Sequence, residues 1–204
     1  MKAIKMIGLT ALVALMAMAF VGASSAMAES TALCDEDPVG TEVCPSGHLL
    51  GAIHEESVGK AKLVTSVGTT ECNVLFGGTI STKLANPLLV VGTFVYTNCV
   101  LGSTNCTATE ENGPSTIEVL KEGHETSKVT GKGLVFVDCG SFLKCSYNGT
   151  GLKGVGKGPL LSAQTNGDVT LTSQVTTKEG GFLCPKESKL TITTTPLTPT
   201  YIKS

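Results

Sequence analysis

A short motif that ends in cysteine occurs twice in this chain and constrains its fold more than any other feature. Phe94–Cys99 is an aromatic and β-branched run that ends in Asn-Cys, and Leu134–Cys139 repeats the pattern with Asp-Cys. In each copy a second cysteine follows a short polar loop, Cys106 in the first and Cys145 in the second. Runs of this composition followed by a polar turn are typical of β-hairpins. The motif therefore predicts two hairpins, each closed by its own disulfide.

The first 28 residues have the pattern of a secretory signal peptide. Lys2 and Lys5 precede the uncharged apolar run Ile7–Ala23, and Ala26–Ala28 supplies the small residues that a signal peptidase requires. An uncleaved anchor is the alternative, because the run approaches the roughly 17 residues at the lower limit of a membrane-spanning helix. The sequence predicts an N-terminal signal helix, residues 1–28, that is removed during export to a secreted or extracytoplasmic location. It predicts no membrane span beyond this segment.

All eight cysteines lie after residue 28, and an even number of cysteines behind an export signal indicates disulfides. Short spacing favours three local bridges, and the two remaining cysteines then tie an early strand to a late one. The predicted pairs are Cys34–Cys44, Cys99–Cys106, Cys139–Cys145 and Cys72–Cys184. The chain has no C-x-x-C pair, and its three histidines lack the spacing of zinc ligands. The sequence therefore predicts neither a metal site nor a cofactor.

The charged residues exclude one class of partner. The chain contains no arginine and no tryptophan, and the lysines after residue 28 number 13 against 17 acidic residues. Nucleic-acid recognition depends on arginine forks and basic stripes. We therefore expect no nucleic-acid partner, and a cell-wall or surface polymer is the partner class that remains open.

Short strands separated by turns account for most of the mature chain. Alternation is clearest after Asn166-Gly167, where apolar residues point one way and Thr172, Gln174 and Thr176 point the other. About ten such strands with almost no helix predict an all-β fold, an antiparallel sandwich or barrel-like domain stapled by disulfides. The other predicted strands are Lys62–Ser66, Asn73–Ser81, Leu88–Asn98, Ser115–Lys121, Gly133–Asp138, Leu143–Tyr147 and Ser188–Thr195.

We expect one β domain, residues 62–204, preceded by a loop-rich acidic cap with a local disulfide, residues 29–61. Within the cap, His54–Glu56 is the best candidate for a single helical turn. Within the β domain, Gly77-Gly78 predicts a bulge or bend in its strand.

Side-chain alternation places each motif's first cysteine on one face with two β-branched residues, opposite the aromatic residues. Apolar groups on both faces predict strands that are buried on both sides. Asn98 and Asp138 are predicted to cap the hairpin turns through backbone amides. The residues sharing the cysteine's face are Val95, Thr97 and Cys99 in the first copy, and Val135, Val137 and Cys139 in the second.

Three further patterns suggest chemistry, and each has a structural alternative that we favour. The acidic loop between Cys34 and Cys44 suggests calcium, but its spacing is that of a solvated loop rather than an EF-hand. Gly149–Gly158 suggests a phosphate-binding loop, but it lacks G-K-[ST] and reads as a flexible or bulged strand pair. Acid–base hydrolysis needs two carboxylates that face each other across a cleft. The candidate acids and bases are the adjacent pairs Glu55-Glu56 and Glu110-Glu111 and the separate residues Asp138, Asp168, His54 and His124.

Parts of the chain resemble a group of exported β-rich proteins of actinobacteria that have no assigned activity. The resemblance rests on Phe94–Cys99, Cys106–Thr109 and Phe182–Pro185. It implies an extracytoplasmic location and carries over no catalytic residue. The sequence thus predicts an exported, non-catalytic envelope or secreted β module, structural or polymer-binding. The alternative is an extracellular hydrolase whose site is assembled from distant loops around His54 or His124.

Overall fold

The protein, described here from a computed structural model, consists of β-strands joined by turns and loops. Fourteen strands lie within the described residues, and the predicted all-β fold with disulfides is confirmed. The predicted signal peptide, residues 1–28, lies outside the described part of the chain. The described residues are 30–36, 44–122, 126–141, 143–157, 168–180 and 183–203.

Most consecutive strands are joined by short connections, and the longest connection between two strands is residues 35–51. The first seven are β1 (Ala32–Cys34), β2 (Ala52–Ser57), β3 (Ala61–Thr65), β4 (Gly68–Ile80), β5 (Leu88–Leu101), β6 (Thr104–Glu110) and β7 (Ser115–Glu122). The others are β8 (Thr126–Lys132), β9 (Leu134–Asp138), β10 (Lys144–Asn148), β11 (Leu152–Lys157), β12 (Asp168–Gly180), β13 (Glu187–Pro196) and β14 (Tyr201–Lys203).

Strands β2 to β13 form a closed antiparallel barrel. Around its circumference the wall has eight strand positions, which we call wall positions. Four positions are the single strands β4, β5, β12 and β13, and the other four each combine two consecutive short strands, β2 with β3, β6 with β7, β8 with β9 and β10 with β11. Consecutive positions pair with each other, and β13 pairs back onto β2 and β3. Of the two predicted architectures, the pairing therefore selects the barrel, which leaves its wall without open edges.

Two local expectations were wrong. His54–Glu56 is not a helical turn, because it lies in β2, which pairs with both β4 and β13 and so belongs to the barrel wall. Gly77-Gly78 does not interrupt β4, since both residues keep regular register with Thr93 and Gly92 of β5. These glycines serve packing instead: a Cβ on Gly78 would lie 2.6 Å from Val90 Cγ1.

Alternation along each strand separates an inner from an outer face of the wall. Inward residues from all eight wall positions form one buried cluster, which includes Ile53, Phe76, Val129 and Ile192. The rings of Phe76 and Phe94 pack against each other inside it at a tilt of 38°, with centroids 4.6 Å apart. Eight strands close around a space that side chains alone can fill, and the core of this domain lies there.

The two copies of the repeated motif differ by one bulge. Asn98 adopts a left-handed φ of 51°, and the β4–β5 register shifts beside it. The predicted common face of Val95 and Cys99 is therefore wrong, because Val95 is 51% exposed while Cys99 is buried. Burial on both sides of β5 is wrong for the same reason. In the second copy the alternation is unbroken, and Val137 and Cys139 are both buried as predicted.

Three of the four predicted disulfides were wrong. Cys34–Cys44 is present, but the pairs Cys99–Cys106, Cys139–Cys145 and Cys72–Cys184 are not formed. The observed bridges are Cys72–Cys99, Cys106–Cys139 and Cys145–Cys184. Each hairpin does carry a cysteine on both arms, but its cysteines bond to the neighbouring hairpins instead of to each other.

A geometric reason explains this exchange of partners. Cys72, Cys99, Cys106 and Cys139 lie side by side near one end of four adjacent wall positions. At this end of the barrel, turns and disulfides alternate around the wall. Four pairs of adjacent wall positions are joined by the turns β3–β4, β5–β6 and β9–β10 and by the β12–β13 connection. Each of the three disulfides joins one of these pairs to the next. Turns and disulfides together therefore form a continuous covalent link from β3 to β13 along this end of the barrel, which we name the disulfide rim. A disulfide within a hairpin would only repeat the link that its turn already makes.

A small ribbon lies at the opposite end of the barrel. Strands β1 and β14 pair there, and Thr31 forms an isolated bridge with Ala85 in the β4–β5 loop. The Lys121 backbone N–H donates a hydrogen bond of 3.0 Å to Thr31 Oγ1. The correctly predicted Cys34–Cys44 bridge packs with Tyr201 in a separate small core.

Candidate functional site

The adjacent carboxylate pairs do not assemble a catalytic centre. Within each pair the two side chains leave the wall in opposite directions, as strand alternation requires. Glu55 faces inward and Glu56 is exposed on the outer face. Glu110 accepts hydrogen bonds on the inner side, whereas Glu111 accepts one from the Ser146 hydroxyl at 2.8 Å. Neither pair presents two carboxylates to one cleft.

The inward carboxylate of Glu55 is held by one hydroxyl. Thr194 Oγ1 of β13 donates a hydrogen bond of 2.6 Å to Glu55 Oε2. Burial raises the pKa of Glu55, and this hydrogen bond opposes the shift only in part. Phe76 lies directly opposite on β4. Burial in the wall therefore makes ionisation of this carboxyl group less favourable than it is for an exposed glutamate.

The inward carboxylate of Glu110 completes the wall where β5 passes from pairing with β6 to pairing with β7. Its Oε2 accepts a hydrogen bond of 2.9 Å from the Phe94 backbone N–H, and its Oε1 accepts one from the Ser115 hydroxyl. Burial, with the nearby Glu110 charge, raises the pKa of Tyr96. Glu110 thus supplies an acceptor to a backbone group that would otherwise lack a ladder partner.

The two described histidines, His48 and His54, lie in different parts of the molecule. His54 is exposed on the outer face of β2, beside Gly77. His48 is paired with Asp35 at 2.9 Å and with Glu36 at 2.9 Å near the β1–β14 ribbon. His124, residues 37–43 of the acidic loop and the side chain of Asp168 lie outside the described set. In the described segments, His, Cys, Asp and Glu form no group of three that could hold a metal ion.

Asp138 has the structural role that the sequence predicted. Its Oδ1 accepts a hydrogen bond of 2.8 Å from the Gly140 backbone N–H, and its Oδ2 lies 3.1 Å from Lys144 Nζ. These contacts, led by the one with Lys144, lower the pKa of Asp138. The corresponding Asn98 does not occupy a turn, since it is the bulge residue of β5. The same position in the repeat therefore has two different structural roles.

A surface cavity of about 450 Å³ lies at the disulfide rim, between the β3–β4 and β5–β6 turns. Val67, Thr69, Val100 and Leu101 line it together with the carboxylate of Glu71. That carboxylate is paired with Lys62 Nζ at 3.2 Å. The cavity thus has a lining of mixed polarity, and its only acid, Glu71, is paired with Lys62.

The outer face of the barrel carries two contrasting regions. We name the first the threonine–valine face: Thr93, Val95 and Thr97 of β5 with Thr107 and Thr109 of β6, all exposed. Between Leu89 and Val100, the outward positions of β5 carry no charged residue. This region offers hydroxyl and methyl groups to solvent without charge.

The second region, the lysine face, consists of Lys128, Thr130 and Lys132 of β8 with Lys153 and Val155 of β11. Lys153 lies opposite Thr130, and Val155 lies opposite Lys128, so the three lysines surround one threonine. All three lysines are exposed. None of them forms an ion pair with any residue whose side chain the structure describes, whereas Lys62 and Lys144 each do. The lysine face therefore groups three exposed lysines around Thr130, to which the Glu118 carboxylate of β7 is hydrogen-bonded.

Sequence reasoning missed the lysine face although a signal was present. Lys128-x-Thr130-x-Lys132 has the period of two that a half-exposed strand shows, but β8 was not among the predicted strands. Lys153 was noticed only within the glycine-rich segment Gly149–Gly158, for which a flexible or bulged strand pair was favoured over a phosphate-binding loop. Residues 152–157 of this segment form the regular strand β11. The β8–β11 pairing, which brings the lysines together, is not visible in either segment alone.

The strand pairings and the disulfides define a closed, disulfide-linked antiparallel barrel. No protein-family model, curated protein or solved structure matches the chain. The resemblance to exported actinobacterial proteins therefore stays a prediction. Among the described residues, no helix is long and apolar enough to cross a membrane.

Proposed function

We propose that this protein is an exported, non-catalytic module that binds a polymer of the cell envelope or extracellular surface through the outside of its barrel. All eight cysteines form disulfides, which persist in oxidising compartments. This supports an extracytoplasmic location and fits the predicted signal peptide.

One observation carries the non-catalytic assignment. The wall separates the members of both carboxylate pairs, and the two inward acids are engaged by Thr194 and by Phe94 N–H with Ser115. Acid–base hydrolysis needs two such groups facing one substrate. The outer face, in contrast, presents rows of hydroxyl and ammonium groups along extended strands, which suit an extended polymer.

A retention assay that also measures product release tests this proposal. The disulfide-bonded protein is incubated with purified cell-wall polymers, and both the bound fraction and newly released reducing ends or small fragments are measured. We expect retention without release. Released product would support the alternative extracellular hydrolase, and failure to bind any wall polymer would overturn the binding proposal.

A further inference from the structure

The lysine face is unusual because nothing in the barrel architecture requires it. Lysines often protect the open edge of a sheet from pairing with another chain. Here β8 is paired on both sides, with β7 and β11, and β11 is paired with β8 and β12. The three lysines therefore occupy the middle of a closed wall, where no edge needs protection.

The positions of the lysines place like charges close together. Lys128 and Lys132 are four residues apart on one strand, which is about 13 Å along the wall. Lys153 lies on the adjacent strand, opposite the residue between them. Lys153 is thus diagonal to both other lysines, a separation that long side chains can span, so the like charges repel one another. Among the described side chains, Glu118 of β7 lies opposite Thr130 and accepts a hydrogen bond of 3.0 Å from its hydroxyl, which leaves the carboxylate beside the three lysines without an ion pair.

We propose that the lysine face binds a linear polymer that carries repeated phosphate or carboxylate groups. This inference rests on the proposed function, for which it names the class of polymer. Charge complementarity supports this occupant, because an array of ammonium groups along a strand matches anions that recur along a chain. Lysine acts on phosphate and carboxylate as a point charge, so the interaction depends on the number of charges and not on bidentate recognition.

The electrostatic origin of the binding makes it dependent on salt. Neutralising three charges of a single-stranded polyanion gives a slope of about −2 for log affinity against log salt concentration. Each exposed lysine near an anionic surface accounts for roughly a fivefold change in affinity. Removing all three charges should therefore weaken binding by about 100-fold at low salt.

A matched pair of triple variants tests the inference. Lys128→Gln/Lys132→Gln/Lys153→Gln removes the lysine face. The control, Lys60→Gln/Lys83→Gln/Lys186→Gln, removes the same charge from exposed lysines elsewhere on the surface. Affinity is measured across a salt series for poly(glycerol phosphate), polygalacturonate and neutral dextran, after circular dichroism and non-reducing peptide mapping establish that each variant is folded.

We expect the first variant to lose about 100-fold in affinity for at least one anionic polymer and the control to lose little. Stronger binding to poly(glycerol phosphate) identifies phosphate as the ligand chemistry, and stronger binding to polygalacturonate identifies carboxylate. Equal losses in both variants, or no binding to either anionic polymer, would overturn the lysine-face assignment. If wall material still retains the first variant fully, the assignment fails while the proposed polymer-binding function stands.

Discussion

The inner and outer faces of the same strands follow different rules. On β4, Val74 points inward and is 1% exposed, whereas the next residue, Leu75, points outward and is 45% exposed. Inward positions are constrained by shape, as the fit of Phe76 against Gly78 and Gly92 shows. Outward positions accept threonine, lysine or an exposed valine without such contacts. The inner face therefore determines the fold, and the outer face is free to carry the binding function that we propose.

The disulfides of the barrel belong to the inner face. Of the changes that we consider, removing one of them should cause the largest loss in the free energy of unfolding. The double substitution Cys106→Ala/Cys139→Ala opens a loop of 33 residues. Loop-closure entropy predicts a loss of about 3.7 kcal/mol in the free energy of unfolding, measured by denaturant titration. The control, Cys34→Ala/Cys44→Ala, opens a loop of 10 residues outside the barrel and should lose only about 2.7 kcal/mol.

A non-reducing peptide map checks the pairing on which this prediction rests. We expect Cys106 joined to Cys139 and Cys72 joined to Cys99. A map that joins Cys99 to Cys106 would contradict the covalent rim between hairpins. It would restore the hairpin scheme that the spacing of the cysteines first predicted.

Close packing at glycine gives the second prediction. A Cβ at position 92 would lie 2.3 Å from the carbonyl oxygen of Gly77 and 2.6 Å from Cα of Gly78, both backbone atoms. Gly92→Ala should therefore displace β4 and lower the free energy of unfolding by about 2 to 3 kcal/mol. Gly51→Ala is the control, because a Cβ there meets no atom within 4 Å. Equal stability of the two variants would show that the inner face tolerates extra volume.

The positions of the strands were easier to predict from the sequence than the pairing between the strands. Eight predicted strands are present with end shifts of a few residues, because alternation and turn residues are local signals. Strand β8 was missed, since its lysine and glycine content gives a weak apolar pattern, β14 was missed as well, and β1 and β2 lie in the segment that was predicted as a loop-rich cap. Cys99 and Cys106 do lie opposite each other in the β5–β6 hairpin, as their spacing implied. Their choice of other partners depends on β4 and β9, whose positions only the closed barrel defines.

The candidate site was less predictable for a related reason. Alternation correctly implies that Glu55 and Glu56 leave opposite faces of a strand, but the sequence analysis placed them in a helical turn. The lysine face requires the register that sets Lys153 against Thr130. Such a register forms between segments that are more than 20 residues apart in sequence, and neither segment specifies it alone.

Glu55 gives the third prediction, because it places an ionisable group on the inner face. Burial raises its pKa above the usual 4.5, so the unfolded state releases the proton at lower pH than the folded state does. The free energy of unfolding should therefore fall as the pH rises from 4.5 through the raised pKa, by about 1.4 kcal/mol for each unit of the shift.

Glu55→Gln removes this pH dependence and keeps a group that can bond to Thr194. We expect the variant to gain stability relative to the natural protein as the pH rises, measured by denaturant titration between pH 4 and pH 8. Glu56→Gln, on the outer face of the same strand, is the control and should show no such gain. A constant stability difference between Glu55→Gln and the natural protein across this range would show that Glu55 titrates normally.

We expect the smallest change in the free energy of unfolding from a substitution on the outer face. This substitution tests the contrast between the inner and outer faces directly. Leu75→Thr changes a residue that is 45% exposed and lies opposite Val95, which is 51% exposed. The free energy of unfolding should change by less than about 0.5 kcal/mol, because such substitutions lose little burial. Val74→Thr, one residue earlier, buries a hydroxyl and should cost about 1 to 3 kcal/mol. If the two substitutions had equal effects in denaturant titrations, the outer face of β4 would be as constrained as the inner one, and an unrecognised contact would have to cover Leu75.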